Sequence, residues 1–135
     1  MPGILGLAAG VEFLQNRGIE EIEREGQRLT ERLLAGFRDI AGLRVLGPES
    51  AQGRVALVSI VLASYDPQEL ALGLDAAFRV QVRSGLHCAP AMHESLGTGE
   101  SGGTVRFSLG PFTTEAEIDT AIEAVAEIAA SKMSI

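Results

Sequence analysis

The stretch Arg54–Leu62, Arg-Val-Ala-Leu-Val-Ser-Ile-Val-Leu, constrains the fold more than any other part of the chain. It is apolar at both alternating sets of positions, so it predicts a central strand covered on both sides or nearly so. The remaining segments supply its surroundings. Leu43–Leu46 reads as a short strand before the turn Gly47–Ser50. Arg79–Val82 reads as another, with Val80 and Val82 on one face and Gln81 and Arg83 on the other. Thr104–Leu109 alternates Val105, Phe107 and Leu109 against Thr104, Arg106 and Ser108. Asp66-Pro67-Gln68-Glu69 opens a helix that runs to Phe78, with Asp66 as the cap and Pro67 in the first helical position. Thr114 and Glu117 form a capping box before a last helix that ends near Ala130. With two helices in front, the predicted order is ααββαββα. Strands and helices lack the regular alternation of a doubly wound sheet. The expectation is an α+β fold in which a small antiparallel or mixed sheet carries its helices on one face, residues 1–135 forming a single domain.

The two leading helices differ in character. In Ile19–Ile40 the residues Ile19, Ile22, Leu29, Leu33, Phe37 and Ile40 form one stripe, and the other side is charged; Gly42 is expected to end it. Ile4–Asn16 is apolar nearly all round: Ile4, Leu7, Val11 and Leu14 recur at helical spacing, and Leu5, Ala8, Ala9 and Phe13 add apolar surface elsewhere. Such a helix is normally buried on all sides. A domain of 135 residues rarely wraps its own first helix that fully, so a missing domain or a second subunit is expected to cover it. A net charge of −7 disfavours nucleic acid and anionic membrane surfaces as partners. No apolar run approaches the roughly 20 residues that span a bilayer, and the N-terminus lacks the basic start of a signal peptide. One cysteine forms no internal disulfide, which suits a cytoplasmic protein.

Chemistry concentrates in Arg83-Ser84-Gly85-Leu86-His87-Cys88-Ala89-Pro90 and the long segment after it, read as a loop from Ser84 to Gly103. Loops beyond about 12–15 residues in a compact domain are usually functional or disordered. Cys88 has two readings: a buried thiol packing as a small hydrophobe, or a thiolate nucleophile, which needs a partly exposed, electropositive site. Arg83, His87, His93 and Arg106 would supply that charge if the fold gathers them. Arg106 either covers the sheet or clamps a substrate carboxylate with its planar fork. If its strand neighbours the one ending at Arg83, two guanidinium groups flank the Cys88 loop. A metal site is not expected, because structural zinc needs four ligands and the chain has one cysteine and two histidines. Gly97-Thr98-Gly99-Glu100-Ser101-Gly102 matches Gly-x-Gly-x-x-Gly in letters only. It follows a loop and opens a strand, whereas the dinucleotide motif follows a strand and opens a helix.

Val82–Pro90, then Gly103-Thr104-Val105-Arg106-Phe107-Ser108, then Phe112–Asp119 resemble the C-terminal part of cysteine desulfurases of the class V, fold type I pyridoxal-phosphate-dependent aminotransferase superfamily, closest to the SufS-type desulfurases and selenocysteine lyases. Pro2–Leu14 is similar to the helix that follows the large cofactor domain in such proteins. The resemblance implies that Cys88 is the catalytic cysteine that takes sulfur from L-cysteine as a persulfide and leaves L-alanine. It further implies that His87 stands beside this nucleophile, that Arg106 holds the substrate carboxylate, and that Arg83 lies near the same pocket. It places the Schiff-base lysine and the other ligands of pyridoxal 5'-phosphate in a preceding large domain. Here the only lysine is Lys132, read as lying in a tail after the last helix, so no cofactor-binding residue is expected in this chain and the chain alone is expected to be inactive. The implied partners are that large domain, a homodimer mate and a sulfur-acceptor protein. Two other readings stand beside this one: a non-catalytic module that binds a partner through Ile4–Leu14, and a class V aminotransferase relative in which Cys88 is incidental.

Overall fold

In the computed structural model, which describes residues 1–132, the elements run α1 (Pro2–Arg17), α2 (Ile19–Phe37), β1 (Leu43–Leu46), β2 (Leu57–Leu62), α3 (Pro67–Phe78), β3 (Arg83–Gly85), α4 (Pro90–Ser95), β4 (Thr104–Ser108) and α5 (Glu115–Lys132). The four strands form one sheet in the order β1-β2-β4-β3, antiparallel at every pairing. The α+β class and the helix-backed antiparallel sheet match the expectation. The order gains one short helix, α4, inside what the sequence reads as an unbroken loop.

Strand β2 lies inside the sheet, as its composition requires, but it is covered on one face only. Val58, Ile60 and Leu62 are buried, whereas Leu57, Ser59 and Val61 are half-buried. The reason is the layering. Leu29, Leu33 and Phe37 of α2, Leu70 and Leu74 of α3, and Ile118 and Val125 of α5 join Val58, Ile60, Val105 and Phe107 in one core. Phe37 meets Phe107 edge to face, with ring centroids 5.3 Å apart. On the charged side, Arg32 reaches Asp119 with two bonds of 2.7 and 2.8 Å, and Arg28 bridges Glu25 and Glu115, tying α2 to α5.

Local signals place the helix starts. The Asp66 carboxylate accepts from the backbone N–H groups of Gln68 and Glu69. Glu117 accepts from the Thr114 backbone at 2.8 Å while its own N–H donates to the Thr114 hydroxyl at 3.3 Å. Helix ends depart further from expectation. α2 stops at Phe37, not Ile40, and Gly42, at φ +76°, turns the chain into β1. The predicted strand Arg79–Val82 does not form. Arg79 takes a left-handed conformation, and the N–H groups of Arg79 and Val80 reach back to Asp75 and Leu74 at 3.0 Å each. This helix-ending motif uses the donors that a strand would need. Val80 and Val82 pack against the core without a ladder, and pairing begins at Arg83. The last helix extends to Lys132, which therefore closes α5 instead of following it; its side chain lies outside the described residues.

None of the α1 residues is buried. Leu5 and Leu7 are each 70% exposed, and Ile4 is 68% exposed, so the apolar helix finds no cover within the described residues. It is attached near its C-terminal end, where Phe13 stacks on Phe112 at 5.2 Å and the Arg17 guanidinium donates to the Pro111 carbonyl. No helix is long and apolar enough to cross a membrane among the described residues.

Candidate active site

The sheet face without helices carries the site. Along one row of this face, Ser59 of β2 pairs with Arg106 of β4, and Arg106 pairs with Arg83 of β3. The condition set by the sequence, that the two arginine strands be neighbours, is met in direct register. Like charges opposite one another across a ladder are destabilising by themselves. Arg106 is half-buried, and its Nε is buried with no hydrogen-bond partner among the described residues. Two arginines paired across the ladder, one with an orphan Nε donor among the described residues, would be satisfied by an anion such as a carboxylate.

The chain leaves β3 and turns sharply. The Ala89 N–H donates to the Leu86 carbonyl at 2.8 Å, and the central residues His87 and Cys88 have φ +50° and +59°. Positive φ at both central positions is the backbone of a type I′ turn, which ordinarily uses Gly or Asn. Two side-chain-bearing residues here store strain of about 1–3 kcal/mol each, a cost found mainly where geometry serves a site. The result is that Cys88 is exposed at the tip of the turn, so the buried-thiol reading is set aside. His87 folds back under it, its Nε2 lying 3.1 Å from the Thr104 hydroxyl and its Nδ1 buried without a partner among the described residues.

Helix α4 supports this turn. Pro90 occupies its first position, and His93 is buried, its ring 5.8 Å from that of His87. The Thr98 hydroxyl lies 2.8 Å from His93 Nδ1 and 3.4 Å from the His93 carbonyl. The Gly103 N–H then closes on the Thr98 carbonyl at 2.8 Å. The glycine-rich stretch thus returns the chain from α4 into β4 and opens no helix, as expected. Among the described residues no group of three or more His, Cys, Asp or Glu side chains is placed to hold a metal ion. Thr98, Thr104 and Gly103 escaped the sequence reading. A threonine on the non-core face of a strand gives no sign that it is 1% exposed, as Thr104 is.

Burial pushes the His87 pKa below its ordinary value of 6.5, and the charges of Arg106, His93 and Arg83 push it the same way; only hydrogen bonding to Thr104 opposes them. A chain of net charge −7 thus places the positive charges of Arg106 and Arg83 around His87. Between the lowered pKa and about 6.5 the unfolded chain binds a proton that the folded chain does not, so stability rises with pH across that window and is lost on acidification. The carboxyls of Glu25, Glu117 and Asp119, held low chiefly by hydrogen bonds to Arg28, Thr114 and Arg32, act in the same direction at lower pH. The urea midpoint is expected to drop between about pH 7.5 and about pH 5.5, and His87→Gln is expected to flatten that limb. A midpoint unchanged by the substitution at both pH values would assign the drop to other groups.

The class-V aminotransferase family model matches residues 1–121. A protein of Methanothermobacter thermautotrophicus described as "Probable cysteine desulfurase" is 35% identical over 128 residues, covering 94% of this chain and 31% of the relative. A protein of Pyrococcus abyssi with the same description is 30% identical, covering 98% of this chain and 32% of its own length. Among solved structures, the apo cysteine desulfurase of Thermococcus onnurineus NA1 superimposes with a TM-score of 0.87 at 29% identity, over 93% of this chain and 30% of that one. The cysteine desulfurase CsdA (S-sulfonic acid) of Escherichia coli gives 0.81 at 25% identity, over 96% and 30%. The chain thus spans about a third of the length of the relatives it matches.

Proposed function

Because the chain belongs to the class-V aminotransferase family, we propose that it is the small C-terminal domain of a cysteine desulfurase, closing over a cofactor site built by a large domain outside this chain. The observation that carries this reading is the register pair Arg83–Arg106 beside a strained turn that presents an exposed Cys88. Arg106, with Arg83 next to it, binds the carboxylate of L-cysteine. Cys88 receives the sulfur. In the net reaction the Cβ–S bond of the substrate breaks, an S–S bond to Cys88 forms, and the proton given up by the Cys88 thiol is balanced by the hydrogen gained at Cβ. Alanine and a Cys88 persulfide result, with no external oxidant or reductant.

The family's cofactor, pyridoxal phosphate, supplies an electron sink when held through a lysine Schiff base. The residues of this chain do not fit that task. Its only lysine, Lys132, ends α5 in the helical layer, whereas the arginine pair lies on the opposite face of the sheet. The lysine, the group on the pyridine nitrogen and the phosphate ligands are therefore assigned to the large domain. The same domain, together with a homodimer mate, is the natural cover for the exposed apolar surface of α1, and the exposed tip of the Cys88 turn is open to a sulfur-acceptor protein. The test is direct. With the chain joined to a class-V cofactor domain and supplied with L-cysteine, mass spectrometry is expected to find Cys88 heavier by one sulfur atom, reversibly removed by a thiol reductant. Alanine formation with no sulfur on Cys88 sinks the assignment.

A further inference from the structure

We infer that Thr104 is a positioning residue that holds His87, the neighbour of Cys88, as the Nε2–H tautomer with Nδ1 left unprotonated. The bearing of that tautomer on the Cys88 turn rests on the desulfurase reading; the tautomer itself does not. A neutral imidazole has one N–H and one lone pair, and the partner of one nitrogen fixes the state of the other. His87 Nε2 lies 3.1 Å from Thr104 Oγ1, and Nδ1 is buried with no partner among the described residues.

Consider the proton on Nδ1 first. It would be a buried donor with nothing to donate to, at the full desolvation cost of such a group. Its positive end would also meet a positive field, because the guanidinium charges of Arg106 from β4 and Arg83 from β3 act on the ring. With the proton on Nε2, the N–H donates to the Thr104 hydroxyl, and the unprotonated Nδ1 leaves no buried donor unpaired. His93 meets its own threonine through the other nitrogen, with Nδ1 2.8 Å from the Thr98 hydroxyl.

The test uses the ¹⁵N-labelled 135-residue chain in its neutral-histidine range, with the His87 signals assigned by their loss in His87→Gln. Wild type is expected to show a pyrrole-type Nε2 and a pyridine-type Nδ1. Thr104→Ser, which keeps the hydroxyl, is expected to retain that pattern. Thr104→Val is expected to shift the tautomer ratio toward Nδ1–H on the order of fivefold to tenfold. A pyridine-type Nε2 in wild type overturns the inference without any mutant, which covers the case of a valine variant that fails to fold. A folded Thr104→Val chain with the wild-type ratio also overturns it. The expected tautomer without sulfur on Cys88 would reject the desulfurase reading and keep this one, and the converse result would do the opposite.

Discussion

Cys88→Ser, in the chain joined to a class-V cofactor domain, is expected to lower sulfide release from L-cysteine by at least about a thousandfold, as removal of an attacking group does in other enzymes. The reasoning is chemical before it is structural. A thiol is partly ionised near neutral pH and its thiolate is intrinsically nucleophilic, whereas a hydroxyl needs a strong adjacent base. His87, the neighbouring residue, is a weak base, held below its ordinary pKa by burial and by Arg106, and it does little for a hydroxyl that must be stripped of a tightly held proton. Serine differs from cysteine by one atom at an exposed turn position, so the turn and the fold are expected to survive. The carboxylate grip proposed for Arg106 and Arg83 is likewise untouched. The loss should therefore fall on turnover, with the KM for cysteine nearly unchanged. Sulfide release within a few-fold of wild type would remove Cys88 from the mechanism and leave the aminotransferase-like alternative in its place.

Much of this site could be read in the chain, and the part that could not has one cause. Features fixed by neighbours in sequence were legible: the Asp66 cap, the Thr114–Glu117 box and the alternation that buries Val105 and Phe107 while turning Arg106 the other way. Features fixed by distant partners were not. The register Arg83↔Arg106 depends on β4 inserting between β2 and β3, and nothing local encodes that order. The same blindness moved β3. Residues Arg79–Val82 alternate like a strand, but the helix-ending bonds of Arg79 and Val80 take them out of the ladder. Thr104 and Thr98 are read from sequence as polar positions near a loop. Their burial, and so their hold on His87 and His93, exists only once α4 folds back over the sheet edge. For α1 the helix and its apolar surface were legible, and among the described residues that surface remains uncovered.

Gly103→Ala is expected to destabilise the chain by at least about 3 kcal/mol and to dismantle the site with it. Gly103 enters β4 at φ +101°, a region that side-chain-bearing residues rarely adopt. A Cβ added there would sit 2.2 Å from the carbonyl oxygen of Gly85 and 2.4 Å from its carbon. These are backbone atoms of β3, so no rotamer change relieves the clash. Either the Gly103 N–H leaves the Thr98 carbonyl or β3 is pushed off β4. In the second case the pairs Gly85↔Thr104 and Arg83↔Arg106 are lost together, and His87 loses the oxygen that orients it. Gly99→Ala is the matched control, because that glycine lies in the same loop with nothing within 4 Å of an added Cβ. It is expected to stay within about 0.5 kcal/mol of wild type. Urea unfolding separates the two variants, and the His87 nitrogen signals report whether the β3–β4 junction survives. A Gly103→Ala chain with wild-type stability and wild-type His87 signals would show that the close approach of β3 to Gly103 is not what holds the two arginines in register.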